Sequence, residues 1–154
     1  MQTEVIISGF GGQGTLYAGQ VLAYAAMDEG KQVTWIPSYG PEMRGGTANC
    51  TVVISDEEIG SPTVKYPKAV LALNLPSLDK YEQMIAPGGC LVVNESMVNR
   101  KPERTDILFK QKTAYEIARE IGNERATNMV MLGALLANMD ILPIEALEKA
   151  LRNH

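Results

Sequence analysis

The sequence predicts an α/β fold, a doubly wound, mostly parallel sheet with helices on both faces, and three observations predict it. A β-branched run, Glu4-Val5-Ile6-Ile7-Ser8, ends in Gly9, Gly11, Gly12 and Gly14, four glycines within six residues, and an Ala-rich helical pattern begins at Thr15. That is the strand, loop, helix order of a Rossmann-like unit. Ala69-Val70-Leu71-Ala72-Leu73 and Cys90-Leu91-Val92-Val93 are apolar without alternation, as strands covered on both faces must be. Helical periodicities fill the spaces between and after these runs.

Taken in order, Thr15 to Glu29 places Ala18, Val21, Leu22, Ala25 and Ala26 on one stripe, and Gly30 stands where a helix C-terminal glycine belongs. Gln32-Val33-Thr34-Trp35-Ile36 reads as a second strand, and Thr47 to Ser55, rich in Thr and Val, as a third with Asp56-Glu57-Glu58 as its polar turn. Ile59 to Lys68 carries Pro62 and Pro67 and should be irregular. The strand from Ala69 closes at Asn74, on the edge where α/β sheets bind ligands. Pro76 opens a helix with Leu78, Tyr81 and Ile85 on one face, Ala86 to Gly89 is a turn, and Cys90 to Asn94 is a strand. Asp106 to Phe109 reads as a last short strand, followed by helices at Thr113 to Ile121, Asn128 to Met139 and from Pro143 through Leu147 and Leu151. The helix Asn128 to Met139 has no charge at all and is apolar all round, so it must be covered on every side, in part by a partner subunit. Met129, Met131 and Met139 on it read as core or interface.

With 154 residues, no linker and no internal repeat, residues 1–154 form a single domain. The net charge is −4 and no basic cluster interleaves with aromatics, which excludes nucleic acid as a partner. No basic segment leads into an apolar run at the N-terminus and no apolar stretch approaches a membrane span, so the expectation is a cytoplasmic chain without a membrane partner. The two cysteines, Cys50 and Cys90, lack metal-ligand spacing, and the single histidine is His154. No metal site, and no Ser-His or Cys-His nucleophile, is expected within this chain, and no catalytic residue is assigned.

Gly9, Gly11 and Gly14 fall on G-x-G-x-x-G spacing, with Gly12, Gln13 and Thr15 completing the loop. Such glycines let backbone N–H groups approach an anion, and a helix starting at Thr15 aims its positive end at the same point. A phosphate or pyrophosphate is the expected ligand, although a tight strand-to-helix corner would look similar. A dinucleotide site expects a carboxylate about 20 positions on, at the end of the second strand. Pro37 and Ser38 follow Ile36 there, and Glu42 comes only later in the loop, so NAD is disfavoured. With no Lys after Gly14 the loop is not a P-loop either. A second motif, Pro37-Ser38-Tyr39-Gly40-Pro41-Glu42-Met43-Arg44-Gly45-Gly46, leaves the second strand at the same edge. Its chemistry is anion recognition by Arg44 and the Gly45 backbone, with Tyr39 and Glu42 beside them; a salt bridge from Arg44 to Glu42 is the alternative use.

Ser8 to Gly14, taken together with Ser38 to Thr47, resembles the gamma subunit of the 2-oxoacid:ferredoxin oxidoreductases. The resemblance continues through Ser61-Pro62, Asn74-Leu75-Pro76-Ser77, Pro87-Gly88-Gly89 and Met131-Leu132-Gly133-Ala134. It implies an assembly that decarboxylates a 2-oxoacid on thiamine diphosphate, transfers the acyl group to coenzyme A and passes electrons through iron–sulfur clusters to ferredoxin. The thiamine diphosphate and the clusters would belong to partner subunits, and this chain would contribute to coenzyme A binding. The stretch Tyr39 to Thr47 is most like the 2-oxoglutarate and branched-chain types. A reading from another class is a free-standing nucleotide- or phosphate-binding regulatory module.

Overall fold

The computed structural model describes residues 2–10, 14–38, 47–60, 64–95, 98, 100–112, 127–139 and 141–153. Six strands form one sheet: β1 (Gln2–Phe10), β2 (Gln32–Ser38), β3 (Thr47–Ser55), β4 (Ala69–Ala72), β5 (Cys90–Asn94) and β6 (Leu108–Lys112), in the order β2-β3-β1-β4-β5-β6. The pairs β1·β4, β4·β5 and β5·β6 are parallel, whereas β3 runs antiparallel to both β1 and β2. Five strands therefore share a direction and β3 opposes them, which bears out a mostly parallel sheet. The reason for the reversed strand lies in the connections. Between β1 and β2 the chain is long enough for a crossover helix, while only residues 39–46 separate β2 from β3, enough for an antiparallel return and too few for a crossover.

Helices cover both faces. Val5 and Ile7 of β1 point to one side and Ile6 to the other, following the period of two along a strand. On the first side α1 (Thr15–Asp28), α3 (Thr127–Asn138) and α4 (Ile144–Asn153) cover Val52, Ile54, Leu71 and Val92. On the second side α2 (Leu75–Tyr81) and the single 3₁₀ turn after it place Leu78, Tyr81 and Ile85 over Val70, Leu91 and Val93. The central strands β4 and β5 are buried along their whole length, as their unbroken apolar runs require.

Two elements differ from the sequence reading. Pro37 and Ser38 belong to β2 and not to the loop; β2 is an edge strand paired only with β3, where a residue without an N–H is tolerated. The last strand is Leu108–Lys112 and not 106–109, because its limits follow its pairing with Cys90 to Asn94. On helix α3 Met131, Leu132 and Leu135 are fully buried and Leu136 is 8% exposed, between the sheet, α1 and α4, while Met129 and Val130, with Met139 just beyond the helix, are half-buried and Ala137 is exposed. The helix expected at 113–121 lies outside the described residues.

Beyond the 3₁₀ turn the return to β6 is fixed by polar contacts. The buried Glu82 carboxylate accepts from Arg100 Nη1 at 2.9 Å and from the Glu103 N–H at 2.7 Å, and Arg104 Nη1 donates to the carbonyls of Glu82 and Ile85. A buried carboxylate needs such partners.

Where α1 crosses β2 and β3, Gly19 makes the approach possible. A Cβ there would stand 2.3 Å from Cys50 Sγ and 2.8 Å from Trp35 Nε1. Overfilling a packed site costs about 1–3 kcal/mol, and about 1 kcal/mol is worth about 2–4 °C in a domain of this size. Gly19→Ala should therefore lower the melting temperature by several degrees in a thermal melt.

Both thiols are buried and unpaired with each other. Burial pushes the Cys50 thiol up to about 11, against smaller downward pulls from the Trp35 indole and the Gly19 backbone; burial does the same to Cys90, against the Lys110 charge. The folded state thus favours the protonated thiols. Their contribution to stability is fully present below the ordinary thiol value of 9.0 and declines as pH rises from there to about 11, where the folded thiols ionise in turn. Urea titrations at stepped pH should show that decline. It should shrink in a Cys50→Ala, Cys90→Ala double variant.

Candidate functional site: the glycine corner at the end of the first strand

The site is built where β1 runs out and α1 begins. Gly9 lies in the last turn of pairing, opposite Ala48, and the chain re-enters helix through Gly14, which caps α1 with φ +75°. That left-handed angle is costly for any residue with a Cβ, so glycine is required here by the backbone alone. Thr15, the first helical residue, is 2% exposed and its Oγ1 has no partner among the described residues. At a helix start the first backbone N–H groups also lack intrahelical acceptors.

Two side chains from elsewhere in the chain secure this corner. Asn128, in the first turn of α3, donates from Nδ2 to the Gly14 carbonyl at 2.9 Å, leaving its Oδ1 without a partner among the described residues. Cys50 on β3 points its Sγ at the Thr15 carbonyl at 3.6 Å; protonated at neutral pH, the thiol is a weak donor. Neither contact was read from the sequence. From the sequence Asn128 is only the start of a helix and Cys50 only a cysteine without metal-ligand spacing, because contacts across so much chain leave no local pattern.

On the opposite face of the same sheet edge is a buried polar chain. Asn74 caps α2, its Oδ1 accepting from the Ser77 N–H at 3.0 Å and the Ser77 hydroxyl at 2.6 Å, and Ser77 Oγ lies 2.8 Å from Ser8 Oγ. With the one Ser77 hydroxyl proton directed at Asn74, Ser8 is left as the donor to Ser77. The chain ties the end of β1 to the start of α2, and Asn74 Nδ2 remains buried without a partner among the described residues.

The register brings the two sequence motifs to one edge. Ser8 of β1 and Ser38 of β2 both pair with Asn49 of β3, so the two strands end at one edge of the sheet, about 10 Å apart at two strand spacings. Gly11, Gly12, Gln13, Tyr39, Glu42, Arg44 and Gly45 lie outside the described residues. Of the loop residues expected to bind an anion, the structure describes Gly9, Gly14 and Thr15. Cys50 and Cys90 sit on strands three places apart, about 14 Å, too far to share a metal or cluster. Among the described residues there is no group of three metal-ligating side chains and no helix long and apolar enough to cross a membrane.

Residues 4–154 match the pyruvate ferredoxin/flavodoxin oxidoreductase family. The chain belongs to that family. It is 45% identical over 136 residues to the ketoisovalerate oxidoreductase subunit VorA of Methanothermobacter thermautotrophicus, an alignment covering 88% of this chain and 28% of that protein. It is 39% identical over 154 residues to the 2-oxoglutarate synthase subunit KorC of Methanocaldococcus jannaschii, covering 98% of this chain and 82% of the relative. The chain thus spans little more than a quarter of VorA and most of KorC. The crystal structure of the keto/oxoacid ferredoxin oxidoreductase gamma subunit from Geobacter sulfurreducens superposes with a TM-score of 0.84 at 36% identity, covering 97% of this chain and 84% of that one. The α/β fold, and the family resemblance carried by Ser8 to Gly14 together with Ser38 to Thr47, are therefore borne out.

Proposed function

We propose that this chain is the gamma subunit of a 2-oxoacid:ferredoxin oxidoreductase, a single-domain, cytoplasmic component that is inactive alone. The assembly converts a 2-oxoacid and coenzyme A to an acyl-CoA and CO2 and delivers the electrons to ferredoxin. Thiamine diphosphate and the iron–sulfur clusters are held by partner subunits, and this chain supplies part of the coenzyme A site. Membership of the family along residues 4–154 carries the assignment, and the relatives named as subunits weigh against the free-standing regulatory module. Those relatives also favour 2-oxoglutarate or a branched-chain oxoacid as substrate over pyruvate.

The donor set fits one part of coenzyme A in particular. A pyrophosphate needs N–H and O–H donors, and the corner offers the N-terminus of α1, a left-handed glycine and a Thr15 hydroxyl without a partner among the described residues. On this reading Gly9, Gly11, Gly12, Gln13, Gly14 and Thr15 cradle the phosphates, and Tyr39, Glu42, Arg44 and Gly45 border them as a second anion or substrate loop. When bound, coenzyme A supplies the thiol that accepts the acyl group; this chain's residues hold the far end of the molecule and orient it. The test is reconstitution of the assembly with and without this chain, assayed with a panel of 2-oxoacids. Acyl-CoA formation that requires the chain supports the proposal. A fully active assembly that forms without it refutes it.

A further inference from the structure

We propose that Asn128 is the positioning residue of this corner, holding the Gly14–Thr15 peptide so that the Thr15 N–H and hydroxyl both face the bound phosphate. The inference rests on the phosphate reading above and adds a residue 114 positions away from the loop.

The argument begins at one carbonyl. Gly14 O accepts the first helical bond, from the Ala18 N–H at 2.9 Å, and also the Asn128 Nδ2–H at 2.9 Å. Both of its lone pairs are thereby used, and the carbonyl is fixed pointing down α1. In a planar trans peptide the N–H lies opposite the C=O, so the Thr15 N–H is aimed the other way, out of the helix start. A helical Cα–Cβ bond also tilts toward the N-terminus, so the Thr15 side chain leans toward that end of the helix. That hydroxyl is buried without a partner among the described residues, although a buried hydroxyl normally has one. An anion at the helix start satisfies it.

Geometry also explains why position 14 is glycine twice over. Besides the left-handed angle, a Cβ on Gly14 would come within 2.5 Å of Asn128 Nδ2 and push the amide off its carbonyl. Because Asn128 stands in the first turn of α3, the same bond draws a second helix N-terminus up to the first. The bond joins the corner to α3, which also packs on α1 through the core, so coenzyme A affinity becomes sensitive to where α3 sits.

Two substitutions in the assembled enzyme test this, with coenzyme A and oxoacid varied in turn. Asn128→Asp keeps the shape, loses the donor to Gly14 and adds a negative charge beside the anion. Thr15→Val keeps the shape and loses only the hydroxyl, and removing an unpaired buried hydroxyl should not lower the melting temperature. Each should raise the apparent coenzyme A constant about tenfold or more, and by more than any change in the oxoacid constant. An unchanged coenzyme A constant in folded, assembled Thr15→Val and Asn128→Asp enzymes overturns the proposal; if Asn128→Asp does not fold, Thr15→Val alone decides. Gly12→Asp separates the two levels: if it weakens coenzyme A while these variants do not, Asn128 and Thr15 are only structural and the phosphate loop stands. If none of the three weakens coenzyme A, the phosphate reading itself fails.

Discussion

Leu136→Asp is expected to leave most of the chain unfolded at 25 °C. Leu136 is 8% exposed on α3, in the core shared with α1, α4 and the sheet. Truncating a buried Leu costs about 2–5 kcal/mol in lost transfer and cavity terms. An ionised carboxylate placed there without a partner adds several kcal/mol more unless it takes up a proton. The sum is comparable to the whole stability of an ordinary domain, about 5–15 kcal/mol. Leu136→Met, which keeps volume and polarity, should cost less than about 1.5 kcal/mol. Circular dichroism of the isolated chain with a urea titration reads both. A Leu136→Asp chain that melts like wild type yet fails to join its partners would mean that this face of α3 is an interface after all.

The second large effect is expected on coenzyme A. Gly12 stands midway in the sequence between β1 and α1, and if the loop cradles a phosphate as proposed, a carboxylate there repels it and fills space that close backbone approach requires. Losing one or two charge-assisted hydrogen bonds, each worth about 1.5–3 kcal/mol, raises the apparent coenzyme A constant of the assembled enzyme about tenfold to a few hundredfold, since about 1.4 kcal/mol is one decade. The oxoacid constant should change far less if, as proposed, the thiamine site lies in other subunits. Steady-state assays of Gly12→Asp with each substrate varied separately measure this. Equal coenzyme A constants in wild type and a folded variant would reduce the loop to a structural corner.

What the sequence made legible was local. The glycine corner was readable because a left-handed residue between strand and helix demands glycine, and Gly14 has the required angle. Strands β4 and β5 were readable because burial on both faces removes alternation. The reversal of β3 was not, since strand direction depends on which neighbours a strand finds. The limits of β6 were set by its partner, Cys90 to Asn94, more than by its own residues, Leu-Phe-Lys-Gln-Lys. Much of the cover of α3 comes from α1 and α4, whose approach no single stretch of sequence shows. Asn128 illustrates the same limit at the site: its contribution is a bond to a residue that the fold, and not the chain, brings near.

The most direct test of the account is a structure of the assembled enzyme with coenzyme A bound. The prediction is a coenzyme A phosphate within hydrogen-bonding reach, about 2.7–3.2 Å, of backbone N–H groups between Gly11 and Thr15, with the Thr15 hydroxyl as one of its donors. Phosphates held entirely by other subunits, with Thr15 Oγ1 still unpartnered, would contradict it.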